Sequence, residues 1–192
     1  MANLMNKPYK YFPVVILLLS IMLISVCYVS CDKNNAANYT KVKCVTCLNG
    51  GSCIRDTCQC IVGYEGQYCE ISSAPKYFGS WRVSENGSIS GYMTYQGYMS
   101  RGSNRSELII QNIGDGSSNT IIANINRDSI FIPDQLMVNK RIVGIGKIYK
   151  DSQTTQYNTI NLAYMLTDTL TLEVDDFGYK SGKIESVSVW TR

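Results

Sequence analysis

The chain has 192 residues, room for one ordinary domain and one small module once an N-terminal leader is set aside. Its 18 basic and 15 acidic residues give a net charge of +3, but Lys7 and Lys10 fall in the leader, which leaves 16 against 15. So balanced a surface carries no nucleic-acid footprint. The absence of histidine removes Ser-His and Cys-His nucleophile pairs and the commonest metal ligand, leaving carboxylate- or lysine-based chemistry if there is any.

Lys7 and Lys10 precede the apolar run 13–26, the order of a positively charged segment and hydrophobic core in a secretory leader. The run extends to Val29 if stretched, so a retained membrane anchor is the alternative. The stretch Tyr28-Val29-Ser30-Cys31, followed by Asp32-Lys33-Asn34-Asn35, resembles a bacterial lipobox, with Tyr28 where that motif usually has Leu. The resemblance implies a signal peptide over 1–30, cleavage before Cys31 and a lipid on Cys31. Cys27, behind Val26, fits less well. The count agrees: of eight cysteines one leaves with the leader, one is acylated and six remain to pair. Residues 31–43 are polar without apolar period and are expected to be a flexible tether.

Six cysteines then fall within residues 44–69. A block that small cannot bury enough apolar surface to fold unaided, so crosslinks are expected, and with them an oxidising compartment. Spacing alone leaves about fifteen pairings open. A zinc site is the competing reading, but no histidine is present and the spacing is not two CxxC pairs. The tail Cys58-Gln59-Cys60-Ile61-Val62-Gly63-Tyr64-Glu65-Gly66-Gln67-Tyr68-Cys69 is similar to the C-x-C-x-x-G-[YF]-x-G-x-x-C signature of epidermal growth factor (EGF)-like modules, and Asn49-Gly50-Gly51 also fits. This resemblance covers residues 44–70. It implies the pairs Cys44–Cys53, Cys47–Cys58 and Cys60–Cys69, each expected to contribute about 2–4 kcal/mol. Gly63 and Gly66 suit positive φ in the C-terminal turn. Calcium-binding members carry acidic or amide groups just before the first cysteine; Thr40-Lys41-Val42-Lys43 offers two cations instead, so no metal and no cofactor is expected.

After a linker over 71–76, the pattern changes to period two. Strands are expected over 77–83, ending at the turn Asn86-Gly87, then over 92–99 and 107–113. In 120–125, Ile121, Ala123 and Ile125 share a face; Arg127-Asp128 turns into 129–132, which Pro133 closes. Strands over 141–149, 159–166, 170–174 and 183–190 complete eight or nine, with no helical periodicity between them. The expectation for 77–192 is an antiparallel β-barrel or sandwich of about eight strands. Trp81 on its first strand and Trp190 on its last suggest that the ends meet and close the sheet.

Three constellations bear on function. Gly79-Ser80-Trp81 resembles the Gly-x-Trp of lipocalins, whose barrel base packs that Trp against an Arg of the last strand; here Arg192 is the terminal-strand candidate. The bland reading is that Trp81 simply plugs one end of the sheet core. Tyr92 and Tyr98 share one face of a strand and Tyr95 takes the other, with Met93 and Met99 between, a pattern suited to glycan stacking, a protein interface or ordinary sheet packing. Asp175-Asp176, near Asp168 and Glu173, has the composition of paired glycosidase carboxylates but also that of a hairpin turn, and the turn is expected.

The lipidated cysteine, tether, EGF-like module and β domain together resemble surface lipoproteins of the Bacteroidetes kind. That resemblance implies an all-β exported protein, lipid-anchored to the cell envelope at the outer membrane, with a non-catalytic binding, adhesion or structural role. Its expected partners are the membrane, through the anchor, and a protein or glycan at the cell surface. The alternatives are a lipocalin-like carrier of a small apolar ligand and a small carbohydrate-active enzyme.

Overall fold

A computed structural model describes residues 46–114, 119–183 and 187–192. The leader, Cys27, Cys31, the tether and Cys44 lie outside the described residues.

Cystines replace a core in the first module. β1 (Ser52–Ile54) and β2 (Thr57–Gln59) form a hairpin. Its turn, Arg55-Asp56, has φ of 50° and 60°, the left-handed pair of a type I′ connection. β3 (Tyr64–Glu65) pairs with β4 (Ile71–Ser72). Cys47 is bonded to Cys58 and Cys60 to Cys69. Cys53 is also disulfide-bonded, and its expected partner Cys44 lies outside the described residues. Gly63 and Gly66 take φ of 93° and 97°, conformations that a side chain would strain.

No free linker follows. Residues 71–76 are taken up by β4, by a backbone bond from Ser73 N–H to Gly63 O (2.9 Å), and by the start of a 3-10 helix over Pro75–Tyr77. Lys76 holds the seam: its ammonium bonds Glu65 of the module (2.8 Å) and Asp128 of a barrel turn, and lies 4.7 Å from the Tyr157 ring centre. Burial works against this ammonium, but the hydrogen-bonded carboxylates of Asp128 and Glu65 outweigh it and raise its pKa. On the next barrel turn, the Arg105 guanidinium covers the Tyr64 ring at 5.4 Å.

The β domain is an eight-stranded closed antiparallel barrel. β5 (Gly79–Gly87), β6 (Gly91–Arg101), β7 (Glu107–Gln111), β8 (Thr120–Asn126), β9 (Ser129–Met137), β10 (Lys140–Lys150) and β11 (Tyr157–Asp168) form a meander. β13 (Ser188–Thr191) closes it by lying between β11 and β5, with Trp190 opposite Ile160 on one side and Val83 on the other. β12 (Val174–Phe177) pairs with the far half of β11, Met165 to Thr167, beyond the stretch that β13 occupies. The wall between β11 and β5 is thus completed by two short strands in succession.

Period two puts Trp81, Val83, Met99, Leu108, Ile110, Ile121, Ala123, Ile125, Ile130, Ile132, Ile142, Ile148, Ile160, Leu162, Tyr164 and Trp190 inside, almost all fully buried. The packing is close. A Cβ placed on Gly97 would collide with the Trp190 ring, so a glycine there lets the indole pack against β6.

Two strand expectations are corrected. Pro133 does not close β9, which runs on to Met137; the ladder with β10 shifts register there, and a residue without an N–H is tolerated at such a bulge. Past the bulge β8 and β9 part, and the Gln135 amide bonds both Ile122 N–H (2.9 Å) and Ile122 O (2.6 Å) in place of a ladder peptide. Likewise, 170–174 is mostly a turn and the strand is 174–177, so Asp175 and Asp176 stand in a strand paired with β11 and not in the hairpin turn expected for them. The Asp168 carboxylate accepts from Leu170 N–H (2.8 Å) and Thr171 N–H (2.9 Å), which pins the chain in a reversal and leaves Leu170 85 % exposed.

Candidate functional site

Three places in the barrel gather chemistry: its base, its interior and one outer face.

At the base, Trp81 is fully buried and its indole N–H donates to Tyr77 O (2.8 Å). The Arg192 guanidinium lies 4.3 Å from the Trp81 ring centre. Its nitrogens donate to Phe78 O (2.9 Å), Lys76 O (2.8 Å) and Tyr157 O (3.0 Å), so one cation ties the last residue to the 3-10 helix and to the start of β11. All three acceptors are carbonyls. Among the described residues the guanidinium forms no ion pair, and burial lowers its pKa.

Inside, β5 carries a residue that the sequence reading passed over. Glu85 lies on the same face as Trp81 and Val83 and is 2 % exposed. Its carboxylate accepts from Tyr95 Oη (2.7 Å), Tyr164 Oη (2.8 Å) and Ser188 Oγ (2.7 Å). Further out, Trp190 Nε1 donates to Ser188 Oγ (2.9 Å) and Gly114 N–H to Tyr95 Oη (2.9 Å). No cation is among these partners. Burial pushes the carboxyl pKa up; the three hydroxyls pull it down by less, and the charge of Asp175 adds to the rise. Phe177 of β12 stacks on Tyr164 at 4.4 Å and covers this polar knot. The signal for it was legible: a charged residue at an inward position of an alternating strand.

The three tyrosines of β6 separate accordingly. Tyr95 points inward to Glu85, whereas Tyr92 (73 % exposed) and Tyr98 (43 % exposed) stand on the outer face. Tyr92 Oη and Ser84 Oγ are 2.8 Å apart across the β5–β6 pair. Register aligns Gln96, Arg82 and Thr191 in one row across β6, β5 and β13, and Ser80 with Tyr98 in the next. These rows border a shallow cleft of about 410 Å³ lined by Ser80, Arg82, Gln96, Thr191 and Arg192. The outward positions of β5, β6 and β13 carry no carboxylate, and Arg82 forms no ion pair among the described residues. A second cleft of about 450 Å³ lies at the seam with the module, bordered by Val62, Asn126, Asp128 and Lys147.

Of the acidic residues weighed as glycosidase carboxylates, Asp168, Asp175 and Asp176 serve the backbone instead. Asp175 accepts from Ile89 N–H (2.8 Å) and Ser90 N–H (3.2 Å), clamping β12 to the β5–β6 turn. Asp176 accepts from Lys180 N–H and Ser181 N–H (both 2.9 Å), and Asp168 caps its own turn. Among the described residues no group of three or more His, Cys, Asp or Glu side chains is placed to hold a metal ion. The chain matches no protein-family model, and it matches no curated protein.

Proposed function

We propose that this is an exported, non-catalytic binding protein, lipid-anchored through Cys31 to the cell envelope at the outer membrane. Its EGF-like module is docked under a closed barrel, and its ligand is met on the outer face of β5, β6 and β13. The observation that carries this reading is a contrast. The barrel interior is occupied by large side chains, Trp81, Trp190, Tyr164, Phe177 and Met99 among them, while the outer face carries exposed Tyr92 and Tyr98 and a cleft whose Arg82 forms no ion pair among the described residues. Exposed tyrosines beside an arginine are what binding surfaces enrich. Asp168, Asp175 and Asp176, each engaged by backbone N–H groups, favour binding over glycoside hydrolysis.

Carriage of a small apolar ligand in the lipocalin manner is the second reading, favoured by the Trp81–Arg192 stack at the barrel base. One comparison separates the two. Residues 43–192, which form one compact unit, are tested against a panel of glycans and surface proteins and against the apolar fluorophore N-phenyl-1-naphthylamine. The surface reading expects panel binding that a Tyr92→Ala/Tyr98→Ala variant loses, and no saturable fluorophore uptake. Stoichiometric uptake, or panel binding indifferent to both tyrosines, would overturn it.

A further inference from the structure

The outer cleft also specifies a ligand class. We propose that it takes an oxyanion-bearing saccharide, with the carboxylate or sulfate on Arg82 and a sugar ring against Tyr98. This inference rests on the surface-binding reading above and narrows it.

Charge comes first. Two guanidinium groups, Arg82 and Arg192, border the cleft; the nitrogens of Arg192 are committed to three carbonyls, whereas Arg82 has no hydrogen bond or ion pair among the described residues. No outward position of β5, β6 or β13 carries a carboxylate, so the charge these three strands bring to the cleft is positive. A guanidinium presents a fork of donors that matches a planar oxyanion in bidentate fashion.

The remaining lining decides between a sugar and a peptide. Ser80, Thr191 and Gln96 offer two hydroxyls and one amide, groups that both donate and accept: Thr191 and Gln96 at cross-strand spacing on either side of Arg82, and Ser80 two residues before it on β5. Such groups answer the hydroxyls of a saccharide, each also both donor and acceptor. The cleft lining includes no aliphatic side chain to seat a peptide's apolar residue. Tyr98, opposite Ser80 of the cleft lining and half exposed, supplies a flat apolar ring with a polar tip beside it.

The test uses the full chain in detergent and four probes in calorimetric titration: an oligouronate, a sulfated oligosaccharide, a neutral oligosaccharide and an oligoglutamate peptide. Arg82→Gln changes an exposed side chain, and its unchanged thermal midpoint is the control for folding. The proposal expects one or both acidic saccharides to bind with salt-sensitive affinity, which of the two naming the oxyanion. Arg82→Gln should weaken that binding roughly tenfold or more, Arg82→Lys less, and Tyr98→Ala should weaken it independently. Equal binding of the neutral saccharide would overturn the oxyanion assignment while leaving the surface reading in place. Equal binding of oligoglutamate would overturn the saccharide class. Acidic-saccharide binding that Arg82→Gln leaves unchanged would remove this cleft as the site, and no binding of either acidic saccharide would refute the proposal outright.

Discussion

Glu85 gives the sharpest test of the barrel's interior. Two changes probe it: Glu85→Gln, which keeps the shape and removes the charge, and Glu85→Ala, which removes the acceptor. In the alanine variant the hydroxyls of Tyr164 and Ser188 lose their acceptor inside the wall, and Tyr95 loses its own. Each buried donor left unpaired costs about 1–3 kcal/mol, so two fully buried ones give about 2–6 kcal/mol of destabilisation. The glutamine variant works through pH. Because burial raises the folded carboxyl pKa above its unfolded value, the folded state holds the proton more tightly. Stability from this group is then full below the ordinary carboxylate range and is lost as pH rises through the folded pKa, at about 1.4 kcal/mol per tenfold difference in proton affinity. Glu85→Gln removes that slope, so the variant should gain on the wild type from pH 4 to pH 8. Urea unfolding followed by the fluorescence of Trp81 and Trp190, both fully buried, reads the effect. Taking the difference between the two proteins cancels the opposite slopes of carboxyls held low by turn hydrogen bonds, such as Asp168. A difference flat with pH, or a Glu85→Ala cost under about 1 kcal/mol, would refute the buried, uncompensated carboxylate.

Closure predicts that deleting residues 188–192 lowers the unfolding free energy by at least about 3–5 kcal/mol, since Trp190 alone is worth that much; an unchanged melting temperature would contradict a closed ring. Lys76→Met leaves the Glu65 and Asp128 carboxylates facing each other without their cation, and should destabilise by about 1–3 kcal/mol and expose residues 73–76 to limited proteolysis, which wild-type rates would contradict. Cys31→Ala should abolish acyl labelling and either release the protein from the membrane fraction or leave its leader attached, whereas Cys27→Ala should do neither; unchanged labelling in the first variant would sink the lipoprotein assignment.

The alternation of apolar and polar residues from Trp81 onward is enough to read an antiparallel all-β domain, because period two follows directly from strand geometry. The same alternation places Tyr92 and Tyr98 together and Tyr95 apart. Glu85 escaped because a glutamate reads as surface by default, although its position two residues after Val83 makes it inward. Pro133 and the 170–178 region misled for a different reason. Proline marks a strand's end only where its missing N–H would have been needed, and a bulge removes that need. Leu170 and Leu172 look like strand residues, yet the turn capped by Asp168 leaves both exposed, at 85 % and 72 %, while Asp175, Asp176 and Phe177 form the strand. The outer cleft was not legible at all. It depends on Gln96, Arg82 and Thr191 falling in one row on three strands, and that register is set by the packing of the whole ring.

The most direct test is a map of where a ligand touches. Residues 43–192, isotope-labelled at backbone amides and isoleucine methyls, are titrated with an oligouronate and followed by two-dimensional NMR. The account predicts shifts concentrated on the amides of Ser80, Arg82, Gln96, Tyr98 and Thr191, with the interior methyls of Ile110, Ile121, Ile130 and Ile160 unmoved. Shifts concentrated on those methyls, with the outer amides silent, would place the ligand inside the barrel and contradict it.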